Sequence, residues 1–183
     1  MKLLISKTLV FFLSVALLCS SCSKDKPDIP DELQISFQNM FPAVEFNKDI
    51  QVRLRDMSGE TPLSGSEVEV CVINTSNESI FLSSDPKQPF IRVYMIRDDI
   101  WVELKNNVEY FSSTGGDGSI FEPVGDQQMN YFFTAIRPVL EPAAGNANDE
   151  EIIRVFVIGE RMIDEKRSGV FTGAFVDLFI KRD

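Results

Sequence analysis

Strict period-two alternation of apolar side chains, repeated in short runs, is the feature that most restricts how this chain can fold. Ile50, Val52 and Leu54 alternate with Gln51, Arg53 and Arg55. Val68, Val70 and Val72 alternate with Glu67, Glu69 and Cys71, and Ile100, Val102 and Leu104 with Trp101, Glu103 and Lys105. Toward the end, Ala174, Val176, Leu178 and Ile180 alternate with Phe175, Asp177, Phe179 and Lys181. Successive side chains of a strand point to opposite faces, so this pattern marks strands with one face in a core. The run 152–158 differs: Ile153, Val155 and Val157 are backed by a second face of Ile152, Arg154, Phe156 and Ile158. A strand apolar on both faces points to an additional interaction surface.

Turn signals separate the runs: Ser58-Gly59-Glu60, Leu63-Ser64-Gly65, Asn74-Thr-Ser-Asn77, Asp85-Pro86 and Gly115-Gly-Asp-Gly118. The expected strands lie near 33–38, 49–56, 67–73, 79–83, 90–96, 99–105, 129–136, 152–159 and 172–181. No stretch reads as helix, and the aromatics of 129–136 favour a strand there. Long connections at 106–128 and 137–150 suit a Greek-key arrangement better than an up-and-down barrel. The expected fold is all-β, an immunoglobulin-like or Greek-key sandwich of about seven to nine strands. Two segments carry a resemblance. Residues 74–80, following a Val-rich strand, resemble the strand, Asn turn and strand of bacterial immunoglobulin-like modules. Residues 168–180 are similar to the closing hairpin of such modules and of some pilin-like sandwiches.

The chain's first residues read as an address. Lys2 and Lys7 precede an apolar run from Leu9 to Leu18, too short to span a bilayer, which takes about 20 residues, but suited to a secretory signal. Ser20 and Ser21 stand directly before Cys22. This resembles a lipoprotein signal-peptidase site, with Cys19 where Leu is usual and Cys22 as the residue to be lipidated. The charged stretch Ser23-Lys24-Asp25-Lys26-Pro27-Asp28 is similar to that behind the lipid Cys of Bacteroidota surface lipoproteins. The resulting division is a cleaved signal peptide over 1–21, a lipidated Cys and flexible tether over 22–32, and one sandwich domain over 33–183. The resemblance implies an outer-membrane, lipid-anchored protein exposed at the cell surface, with the membrane as its first partner. With Cys22 carrying lipid, Cys71 has no disulfide partner and reads as a buried, inert residue.

Composition narrows the chemistry. Eighteen basic against 28 acidic residues give a formal charge of −10, which argues against a nucleic-acid partner. The chain has no His, which removes Ser-His-Asp and Cys-His catalysis and His-ligated zinc. Asn146-Ala-Asn-Asp-Glu-Glu151 and Gly115-Gly-Asp-Gly118 lack the alternating carboxylates of a calcium loop and read as solvated turns, so no metal or other cofactor is expected. Asp98, Asp99, Glu103 and Asp177 are the carboxylates on or beside strands that a glycosidase-type hydrolase would need, but nothing pairs them across a cleft. Trp101, the single tryptophan, is either a core residue or, if Ile100, Val102 and Leu104 face inward, an exposed platform for binding a glycan. The reading with most support is a non-enzymatic, lipid-anchored module that binds a protein or glycan, or an accessory subunit of an outer-membrane assembly. The alternatives are a pilin-like subunit assembling by strand exchange and, behind it, a glycan-binding module or a carboxylate-dependent hydrolase.

Overall fold

The computed structural model describes residues 27–55, 61–83, 89–105, 108–111, 119–121, 131–140 and 150–182. Among these residues there is one helix, α1 (Asp31–Asn39), and eleven strands: β1 (Val44–Phe46), β2 (Ile50–Leu54), β3 (Val68–Asn74), β4 (Ile80–Leu82), β5 (Ile91–Arg97), β6 (Ile100–Glu103), β7 (Val108–Phe111), β8 (Ser119–Phe121), β9 (Tyr131–Pro138), β10 (Glu150–Ile163) and β11 (Lys166–Lys181). They form a seven-stranded and a four-stranded sheet, the two-layer sandwich that the alternation implies.

The larger sheet is organised by its two longest strands. β10 and β11 form an antiparallel hairpin, and β1 adds to β11 in parallel. The other edge of β10 is shared, with β5 paired along Ile153 to Val157 and β4 at Glu160 and Arg161. β6 extends the sheet from β5 and β8 extends it from β4. The smaller sheet runs β2-β3-β9-β7 and is antiparallel throughout. Chain crossovers such as β3 to β4 and β9 to β10 carry the chain from one sheet to the other, which is the Greek-key character expected. Ile50, Val70, Val72 and Ile136 from the smaller sheet meet Val93, Ile153, Val155, Leu178 and Ile180 from the larger in one buried core. Cys71, between Val70 and Val72 in β3, is buried as well. Asn74, fully buried, closes the turn after β3 by donating to the Glu78 carbonyl and accepting from the Ser76 N–H.

Three expectations need correction. Residues 33–38 are helical, not a strand. Leu33, Ile35 and Phe37 alternate by two, but the spacing that matters is Leu33, Phe37 and Phe41, since Ile35 is 58% exposed. Pro30 precedes the helix, and Asp31 and Glu32 in its first turn suit the positive end of the helix dipole. Second, the segment 106–128 is not merely a connection, because it carries β7 and β8; with the short β1, this raises the strand count above nine. Third, Ile29 is buried and α1 starts at Asp31, so the last residues assigned to the tether belong to the folded body.

Both two-residue hairpin loops hold acidic residues in the left-handed region. Asp98 and Asp99 join β5 to β6 at φ 49° and 59°, and Asp164 and Glu165 join β10 to β11 at 50° and 60°. Positive φ at both central positions is the turn whose twist matches antiparallel strands, and Gly is the residue that adopts it without steric cost at the second. Glu165→Gly is therefore expected to stabilise the fold by about 1 kcal/mol, read from the urea midpoint at unchanged slope.

Candidate functional site

The alternation places a second set of side chains on the outer face of the larger sheet, away from the sandwich core. β10 contributes Arg154 and Phe156, β11 Phe175 and Asp177, and β5 Tyr94, each offset by one residue from a core position, and β6 contributes Trp101. α1 lies over this face. Phe37 has no exposed surface and stands at the centre of an aromatic box. Its ring meets Tyr94 at 5.1 Å, Trp101 and Phe156 at 5.4 Å and Phe175 at 5.7 Å between centroids, all edge to face. That geometry sets the positive ring edge against a negative ring face, and each such pair adds about 0.5–1.5 kcal/mol beyond area burial.

Within the box lies a charge. The side chain of Arg154 is fully buried. Its Nε donates to Asp177 Oδ1 at 2.7 Å and its Nη2 to Asp177 Oδ2 at 2.8 Å, a bidentate pair. The register sets Arg154 directly opposite Asp177 on the neighbouring strand, so both project from the same face. Nη2 also donates to Gln34 Oε1 of α1 at 2.6 Å. The guanidinium carbon sits 3.7 Å from the Phe175 ring centroid, 4.3 Å from that of Trp101 and 4.6 Å from that of Phe37. Nη1 has no hydrogen-bond acceptor and is buried against these rings, whose faces attract a cation. From β6, the indole N–H of Trp101 donates to the Leu33 carbonyl of α1 at 2.8 Å.

The structure answers the open question about Trp101. It does lie on the face opposite Val102, as the alternation implies, but that face is covered by α1 and Trp101 is only 6% exposed. It is not a glycan platform. Among the candidate carboxylates, Asp177 has both oxygens engaged by Arg154. Asp98 and Asp99 form a hairpin loop, and Glu103 sits across from Tyr94 and pairs with Lys105 at 3.6 Å. Residues 1–26, which include Cys22, and the turn 115–118 lie outside the described residues, as do 146–149 of the acidic run. Among the described residues, no group of three or more His, Cys, Asp or Glu is placed to hold a metal ion.

Sequence reasoning missed Arg154, Asp177 and Phe37 as one cluster. The available signal was a lone Arg in the doubly apolar run 152–158, with Asp177 at matching parity in the following strand. A second ionic cluster ties β1 to β10: Arg161 donates to Asp49 at 2.6 Å and also to Glu45, which Lys48 approaches to 3.1 Å. Hydrogen bonds from Lys48 and then Arg161 hold the Glu45 carboxyl below its ordinary value, and bonds to Asp49 and Glu45 raise the Arg161 guanidinium.

No protein-family model matches the chain, and no curated protein matches it. Its fold is similar to solved structures at low identity. The periplasmic chaperone SfaE aligns at 10% identity and a TM-score of 0.40, over 73% of this chain and 58% of that one. The E. coli chaperone DraB aligns at 12% and 0.40, over 75% and 58%. The Salmonella enterica SafA pilin in complex with the SafB chaperone aligns at 14% and 0.39, over 75% and 57%. The chain thus spans little more than half the length of these structures.

Two predictions follow from the box. Asp177→Leu alone is expected to cost about 3–5 kcal/mol, because it leaves the fully buried Arg154 guanidinium without its counter-ion, and Arg154→Met less, because the Asp177 side chain is partly exposed. The double substitution should recover most of that loss in a double-mutant cycle by chemical denaturation. Burial, and next the charge of Glu103, push the Tyr94 phenol up to about 12 from an ordinary 10.0. An unfolded chain ionises this phenol first, so its contribution is whole below pH 10 and is lost as the pH rises toward 12. Phenolate absorbance in the folded protein should therefore lag that of the unfolded chain by one tyrosine.

Proposed function

We propose that this chain is a non-enzymatic, lipid-anchored module of the cell surface, serving as a membrane-proximal accessory subunit that binds a protein partner. The observation that carries this reading is the distance between the lipidation motif and the fold. Ile29 is already buried, so only residues 23–28 separate Cys22 from the folded body. Fully extended, the seven steps from Cys22 to Ile29 span at most about 25 Å. A domain held this close works on partners at the same membrane, which suits a subunit of an outer-membrane assembly.

The sandwich geometry favours a self-complete domain over a subunit that receives a donated strand. β1 already pairs with one end of β11, and β2 runs alongside β11 with Cα atoms of the two within 8 Å. An inserted strand needs about 9.5 Å between its neighbours, twice the ordinary spacing. The pairing of Asp177 with Arg154 and of Glu103 with Lys105 supports a structural rather than a catalytic part for these two strand carboxylates.

Cys22→Ser should move the protein from the membrane to the soluble fraction, and unchanged retention would contradict the anchor. Crosslinking of the intact protein in cells should recover one defined membrane-associated partner. A concentration-dependent, detergent-resistant ladder of the chain itself would instead support pilin-like assembly.

A further inference from the structure

The segment 27–46 contributes nothing to the interior of the sandwich. Among the described residues, the inner core begins at Ile50 and is made by side chains of the two sheets together with Phe90, Leu104 and Leu140 beside the strand ends, none of them from 27–46. Of the segment's apolar residues, Ile29, Leu33, Phe37, Phe41, Val44 and Phe46 belong to the outer cluster, while Ile35 and Met40 are exposed. The two clusters sit on opposite faces of the larger sheet, so the outer one can open without exposing the inner one.

The attachment of α1 is also narrow. Phe37 is its one buried residue, while Asp31, Glu32, Ile35, Ser36, Gln38 and Asn39 are exposed. Its polar ties are the bonds from Trp101 to Leu33 and from Arg154 to Gln34. No side chain caps its first turn and no basic residue stands in its last. At nine residues it is shorter than the ~12–15 below which an isolated helix is marginal in water. Its helical state therefore depends on docking, and undocking and unwinding are one local event.

We propose that α1 is a detachable strap, and that the face it covers is a binding site for a partner peptide with an aromatic side chain and, three residues before it, a side-chain oxygen. The resident occupant defines that chemistry: Phe37 fills the aromatic box and Gln34 supplies an oxygen to Arg154 Nη2. Arg154 Nη1, buried and without an acceptor, leaves a donor that α1 does not use, which a carboxylate can engage. The inference names the binding face of the module proposed above and rests on that reading, whose short tether describes the state with α1 docked. Its test uses purified protein, so it stands or falls separately from the anchoring and crosslinking results.

Trp101, the chain's single tryptophan, lies under the strap and reports on it. In the purified full-length protein, urea should raise acrylamide quenching of Trp101 at concentrations below the far-UV dichroism transition. In Phe37→Ala, quenching should rise several-fold while the cooperative dichroism transition persists. A synthetic peptide of residues 27–41 added to that variant should restore protection, and the same peptide with Phe37→Ala should not. Coincident urea transitions, unchanged quenching, or loss of cooperative folding in Phe37→Ala would each overturn the strap. Failure of the natural peptide to protect Trp101 would overturn the binding face.

Discussion

A positive charge with no exposed surface is the constraint around which the outer half of this structure is built. Arg154 stands on β10, the strand that pairs with more neighbours than any other in the larger sheet. Removing a guanidinium from water costs several kcal/mol, and the fold offsets that cost in three directions. Asp177 neutralises it from the adjacent strand, Gln34 accepts from above, and three aromatic rings surround the remaining surface. Without α1, Arg154 would lie at the surface of the sheet and the pairing would be worth far less. The helix and the buried ion pair thus depend on each other.

This dependence explains why the protein has three layers in place of two. The four-stranded sheet covers one face of the seven-stranded sheet, and α1 with its flanking residues packs on the aromatic cluster of the other. The close packing extends to the backbone. At Gly173 a Cβ would stand 2.8 Å from the Phe156 ring and 3.0 Å from the Val157 carbonyl oxygen, so no larger residue fits beside the aromatic cluster. Here β1 approaches β11, and the Thr172 hydroxyl donates to the Glu45 carbonyl.

The sandwich was legible in the sequence because alternation is a local property. Each of Val68–Asn74, Ile91–Arg97, Glu150–Ile163 and Lys166–Lys181 carries its own period-two record, and the inward faces are those that the record implies. What failed depended on contacts distant along the chain. Leu33, Ile35 and Phe37 alternate like a strand, and only the docking of Phe37 into a box made by β5, β6, β10 and β11 selects the helix. The parity of Trp101 was readable, but the helix that covers it was not. The doubly apolar run 152–158 reads as an interaction face, and the structure covers that face with α1 of the same chain instead. The pairing of Arg154 with Asp177 became visible only once the Asp164-Glu165 loop set the hairpin register.

The central claim is that Arg154 is charged, buried and held by α1 and β11 together. The most direct test is the NMR signal of its Nε–H group, assigned by its loss in Arg154→Met. The account predicts a sharp resonance, shifted by the rings of Phe37, Trp101 and Phe175, that persists to alkaline pH because exchange with water is slow. An unshifted resonance that broadens away with those of exposed arginines would contradict it.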